Sequence, residues 1–171
     1  MSVAGRTASP RTEHVSSSLV LSEFHPYRIV VLGHLISRRL ARAYADENIT
    51  IPEWRVLAVI SQADAMAARD VVAKTPLDKM AVSRAVASLE EKALVERQSD
   101  PTDKRVAALR LSAEGRALFA RVAGLAMDYE ARLLATLAPD EQQALLAILA
   151  KLEAGAASVS PGGFPAPANS D

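Results

Sequence analysis

The chain has 171 residues, half of them hydrophobic and only 4% aromatic, long enough for one well-packed domain and, with Ala and Leu dominant, inclined toward helix. Twenty Lys and Arg balance twenty Asp and Glu, so bulk charge neither marks a nucleic-acid binder nor points to an acidic partner, and any such function has to lie in local placement. Cysteine is absent, which excludes disulfides, thiolate metal sites and cysteine nucleophiles; with no secretory-type leader and no run of roughly 18 apolar residues, a cytoplasmic chain without a membrane span is expected.

Residues 1–23, rich in Ser, Thr, Ala and charge, and 154–171, rich in Gly, Pro and Ser, read as disordered tails around a folded region at 24–153. From about Pro26 to Ala45 a broad apolar stripe of Tyr27, Val30, Val31, Leu35, Ile36 and Leu40 predicts a long amphipathic helix that starts at a proline. Thr50-Ile51-Pro52-Glu53 has the form of a capping box and opens a second helix over roughly 52–62. A short third helix, Ala67 to Lys74, must stop at Thr75, because the residue before Pro76 is pushed out of the α region. In the fourth helix, about Lys79 to Ala93, Val82, Val86 and Leu89 share the packed face, and either Asp78 or Thr75 with Pro76 supplies the N-cap. Leu94–Gln98 and Val106–Leu111 are strand-like and flank the polar turn SDPTDKR, which makes a β-hairpin. A fifth helix opens at Ser112 with a seam of Leu118, Val122, Leu125, Tyr129 and Leu133, and a sixth runs from Pro139 to near Glu153.

A short helix, a turn, a second helix and a hairpin follow one another in the order of a winged helix-turn-helix, whose second helix enters the major groove. Opposite its packed face the fourth helix carries Met80, Ser83, Arg84 and Ala87: small side chains that let it sit deep, and a guanidinium that forks onto guanine O6 and N7. Lys79 and Lys92 at its ends are placed to reach phosphates. The hairpin adds Arg97, Lys104 and Arg105, with Asp103 positioned to brace a guanidinium that enters the minor groove. Solvated turns are often charged without function, and between residues 66 and 116 bases exceed acids by only two, so placement matters more than excess.

The run DKMAVSRAVASLEEKALVERQSDPTDKRVAALRLSAEG resembles the recognition helix and wing of the MarR family, with Asp103, Arg105, Leu111, Ser112 and Gly115 matching its Asp-x-Arg and Leu-Ser-x-x-Gly elements. The resemblance covers about residues 24–153. It implies a mainly α fold with a small β-hairpin wing, in which a DNA-binding lobe at about 52–112 is flanked by dimerisation helices at about 26–46 and 113–153. It also implies a homodimer on a pseudo-palindromic operator in double-stranded DNA, and Asp78 as cap of the recognition helix. Ala93 departs from the pattern, since the family usually has Gly there, and an Ala in that left-handed position implies a costlier helix exit. Members commonly release DNA when an effector fills a crevice. Here His34, Arg38 and Arg42 recur at i, i+4 and i+8 of the first helix, and Trp54 begins the second; cations near an aromatic suit a small aromatic carboxylate or its coenzyme A thioester, although a lone Trp is more often core and Arg stripes are usually solvated. Three His, at 14, 25 and 34, form no metal-ligand cluster, and no cofactor is expected. No nucleophile–base pair or phosphate-cradling loop argues for an enzyme. The rival reading is a winged helix that binds protein and not DNA.

Overall fold

A computed structural model describes residues 19–99 and 107–158. The chain divides into two compact units, Met1–Arg39 and Leu40–Asp171. In the first, the Val20 carbonyl accepts hydrogen bonds from the amides of Glu23 and Phe24 at 3.0 and 3.1 Å, a turn that leads into helix α1 (His25–Ala43). The last turn of α1, from Leu40, belongs to the second unit. Tyr27, Ile29, Val30, Val31, Leu32 and Leu35 of α1 are all exposed, and the helix has no buried residue.

The second unit is assembled from α2 (Ile51–Ile60), β1 (Met66–Ala67), α3 (Ala68–Lys74), α4 (Lys79–Glu91), β2 (Val95–Ser99), β3 (Ala107–Leu111), α5 (Ala113–Leu134) and α6 (Pro139–Ser158). A 3₁₀ turn, Ala45–Glu47, precedes α2 and ends at Asn48, which takes φ 53°. The capping box at Thr50 forms as predicted: Glu53 N–H donates to Thr50 Oγ1, and Thr50 N–H donates to the Glu53 carboxylate at 2.6 Å. Val56, Leu57 and Ile60 of α2, Val71 of α3, Val82 and Leu89 of α4, Leu109 of β3 and Val122 of α5 meet in one core, all essentially inaccessible to water. At about 1.5–3 kcal/mol for each such side chain, their burial dominates the stability of this unit.

The sheet has the order β1-β3-β2 and is antiparallel throughout, with Met66 opposite Leu109 and Val95 opposite Leu111. The third strand, β1, escapes sequence reading because two residues cannot show alternation. The hairpin itself lies where the sequence placed it, within one residue at each end. Helix α6 extends five residues past Glu153, through Gly155, into the stretch that composition assigned to the tail; interior Gly costs only about 1 kcal/mol and the flanking Ala residues favour helix. No residue of α6 is buried, and Leu146, Ile148, Leu149 and Leu152 are exposed.

Candidate nucleic-acid interface

Helix α4 is fixed at both ends. At its start Asp78, with extended backbone, accepts the Ala81 amide on Oδ1 at 2.7 Å, so Asp78 and not Thr75 is the cap. Thr75 instead ends α3, extended at φ −108° and ψ 152° as the following proline requires. Val82, Ala85, Val86 and Leu89 turn into the core, which leaves Lys79, Met80, Ser83, Arg84 and Ala87 exposed on the other side. At its end Ala93 adopts φ 55°. The Leu94 amide returns to the Leu89 carbonyl and the Ala93 amide to the Glu90 carbonyl, both at 2.9 Å, a Schellman closure built on Ala where Gly would be unstrained.

That exit is tied to the start of α5. Ser112, itself buried, donates through Oγ to the Ala93 carbonyl at 2.7 Å and accepts the Gly115 amide at 2.9 Å, while its own amide donates to the Leu94 carbonyl at 3.1 Å. A Cβ on Gly115 would stand 2.0 Å from the Leu94 carbonyl oxygen, so the position excludes any side chain. The Leu-Ser-x-x-Gly element therefore has a structural cause: it locks the base of the hairpin between α4 and α5.

The cations of this lobe sort into engaged and unengaged. Lys92, assigned from sequence to a phosphate, turns inward: its Nζ donates to Glu53 Oε1 and to the Asn48 carbonyl, each at 2.8 Å. The reason is Glu53, buried by the capping box and in need of a counter-charge. Burial raises the Glu53 pKa, but hydrogen bonds from Lys92, Ser88 and Thr50 outweigh it and hold the carboxyl below its ordinary value. Arg110 grips Glu96 across the strands at 2.8 Å, and Arg97 forks onto Glu90 at 2.7 and 3.2 Å. Among the described residues Lys79, Ser83 and Arg84 have no side-chain hydrogen bond or ion pair. A groove of about 370 Å³ brings Lys79, Ser83 and Arg97 together, although they are spread over 19 positions of sequence; its floor is Val72, Val82 and Val86, and its rim includes Arg69, which sequence reasoning did not single out.

Lys104, Arg105 and Asp103 lie outside the described residues. Of the residues assigned to an effector, His34 and Arg38 fall in the first unit and are exposed; Arg42 and Trp54 fall in the second. Trp54 is half-buried, stacked on Phe119 at a centroid distance of 5.7 Å and tilted against Tyr44 at 5.9 Å. Tyr44 is buried, which raises the pKa of its hydroxyl.

The MarR family model matches residues 47–106. The chain is 25% identical over 126 residues to the HTH-type transcriptional repressor Rv2887 of Mycobacterium tuberculosis, a match that covers 74% of this chain and 91% of that relative. Among solved structures, a MarR/EmrR family transcriptional regulator from Acinetobacter sp. ADP1 superposes with a TM-score of 0.75 at 28% identity, covering 82% of this chain and all of that one. The transcriptional repressor CouR, bound to a 23-mer DNA duplex, gives a TM-score of 0.70 at 25% identity over 78% of this chain and 94% of its own. The chain is thus similar to MarR-family winged-helix transcriptional regulators, in sequence and in fold. The exposed side of α4 described above lies on the helix that the sequence expectation assigned to the major groove. Ala93 stands where the resemblance to the family implied a glycine, and its positive φ shows that the backbone keeps the glycine-like conformation regardless.

Proposed function

We propose that the protein works as a homodimer, presenting α4 of each copy to successive major grooves of a pseudo-palindromic operator, with half-sites about 34–36 Å apart. The observation that carries this reading is the exposed side of α4, where Lys79 and Arg84 have no partner among the described residues while neighbouring cations are engaged by Glu53, Glu90 and Glu96. Lys79 serves a phosphate, Ser83 and Arg84 address base edges, and the wing contributes Arg97, which must leave Glu90 to reach DNA, with Lys104 and Arg105 and with Asp103 as support. The similar CouR, solved on a 23-mer duplex, supports binding to double-stranded DNA. Arg84→Ala is expected to weaken binding to a selected duplex by about 1–3 kcal/mol while leaving random-sequence binding nearly unchanged. Equal losses on both duplexes in an electrophoretic shift assay, or no shift for the wild type at any salt concentration, overturn the base-reading role and favour a protein-binding winged helix.

The effector we propose is a small aromatic carboxylate or its coenzyme A thioester. Arg38 and Arg42 supply cations, His34 a hydrogen-bonding imidazole and Trp54 an aromatic surface, the chemistry such a compound requires. Arg38→Ala should raise the effector concentration needed to release DNA by roughly tenfold or more, with operator affinity preserved, since one charge-assisted contact is worth about 1.5–3 kcal/mol. Release at the wild-type concentration, in a titration of the operator complex with both compound classes, removes Arg38 from the site.

A further inference from the structure

We propose that Met80 is a specificity-determining residue that reads the C5-methyl group of a thymine in each half-site, an inference that rests on α4 being the helix that enters the major groove. Among the described residues between 40 and 112, Met80 is the one large apolar side chain that stays exposed, at 66%. Every other large apolar side chain of that stretch is buried or half-buried. The exception falls in the first turn of α4, on the same side as Lys79, Ser83, Arg84 and Ala87, and the N-terminal residues of a recognition helix are the ones that meet base edges.

The chemistry of the side chain narrows what it recognises. A thioether donates no hydrogen bond and accepts weakly, so it gains little from guanine O6 and N7 or from the amino groups of adenine and cytosine. The thymine methyl is the apolar feature of the major-groove edge, and an unbranched, flexible Met adapts its shape to it. Arg84 is one helical turn further on, about 6 Å along the axis. The thymine read by Met80 and the guanine forked by Arg84 therefore lie close together within one half-site. Met80 thus adds a base identity to the operator that hydrogen-bonding residues alone would leave unread.

The test uses the full chain and a duplex recovered by selection from a randomised pool, in which deoxyuridine replaces each thymine in turn and so deletes only the methyl. Wild type should lose about fourfold in affinity per methyl at one symmetry-related pair of positions and nowhere else on the α4 track, as expected for one buried methyl group. Met80→Ala should bind the thymine duplex more weakly and show no further loss on the uridine duplex, whereas Met80→Leu should restore the dependence. Unchanged thermal melting of both variants keeps folding out of the comparison, because the side chain is exposed. Indifference of wild type to every replacement, or an undiminished uridine penalty in Met80→Ala, overturns the role of Met80 while an Arg84→Ala discrimination defect would leave the DNA-reading helix standing. Failure of the pool to enrich any duplex, with Arg84→Ala binding random DNA as wild type does, overturns both.

Discussion

At Ala93 the backbone sits at φ 55° with a Cβ attached, a conformation that costs an L-residue roughly 1–2 kcal/mol. Relief of that cost by Ala93→Gly is partly offset by the greater freedom of Gly in the unfolded chain, about 0.4–1 kcal/mol. The variant should therefore gain stability, by up to about 1 kcal/mol, seen as a higher urea midpoint at unchanged slope; a lower midpoint would mean that the Ala93 methyl contributes packing that outweighs the strain. This position was legible in the sequence only through family resemblance, as a missing glycine. Gly115 was legible in the same way, but its reason was not: nothing in the spacing of residues announces that the Leu94 carbonyl oxygen fills the space a Cβ would take. The same holds for Ser112, which local pattern marks as a helix cap and which in fact also bonds the Ala93 carbonyl nineteen residues back.

Between elements, the link that matters most for α4 is the contact of Lys92 with Glu53, which fastens the end of that helix to the start of α2. Glu53 is buried and Lys92 only partly so, so Lys92→Met strands a buried carboxylate at a cost of about 2–3 kcal/mol at neutral pH. The pH dependence gives the sign. In the wild type the folded pKa of Glu53 is depressed, so its stabilisation is present above the ordinary value of 4.5 and is lost as pH falls through the lower folded value. In Lys92→Met burial has lost its strongest opponent, so the deficit relative to wild type should shrink as pH falls below about 4.5. Urea unfolding at neutral pH and near pH 4 measures this, and a deficit that is constant with pH would assign the loss to packing of the Lys stem. The capping box was readable from Thr50 and Glu53, yet Lys92 was misassigned to DNA because sequence places a cation near a helix end without showing which carboxylate lies across the fold. Helices α2 to α5 and the hairpin were readable because apolar period, proline and cap residues agree; β1 and the 3₁₀ turn were too short to carry a period.

For the molecule as a whole, the apolar surface left in water sets the expectation. The second unit has a closed core, whereas α6 exposes Leu146, Ile148, Leu149 and Leu152 and α1 exposes a further set within the first unit. Apolar side chains left exposed along a helix mark an interface, and two copies of one chain cover such a helix most simply through a two-fold axis. Sedimentation at micromolar concentration should give a dimer, and Leu149→Asp should shift it toward monomer while the unit's thermal transition persists, because no residue of α6 is buried in the lobe core. A wild-type monomer, or a Leu149→Asp dimer of undiminished affinity, would place the interface elsewhere.

The stack of Trp54 on Phe119 has a consequence for spectroscopy. The chain contains one Trp, so emission excited at the red edge of the indole band comes from a single fluorophore, half-buried where α2 meets α5 and flanked by Tyr44. Light from the unlabelled protein thus reports on that junction alone. A change in its intensity or wavelength during any titration can be assigned to a named pair of rings without introducing a probe.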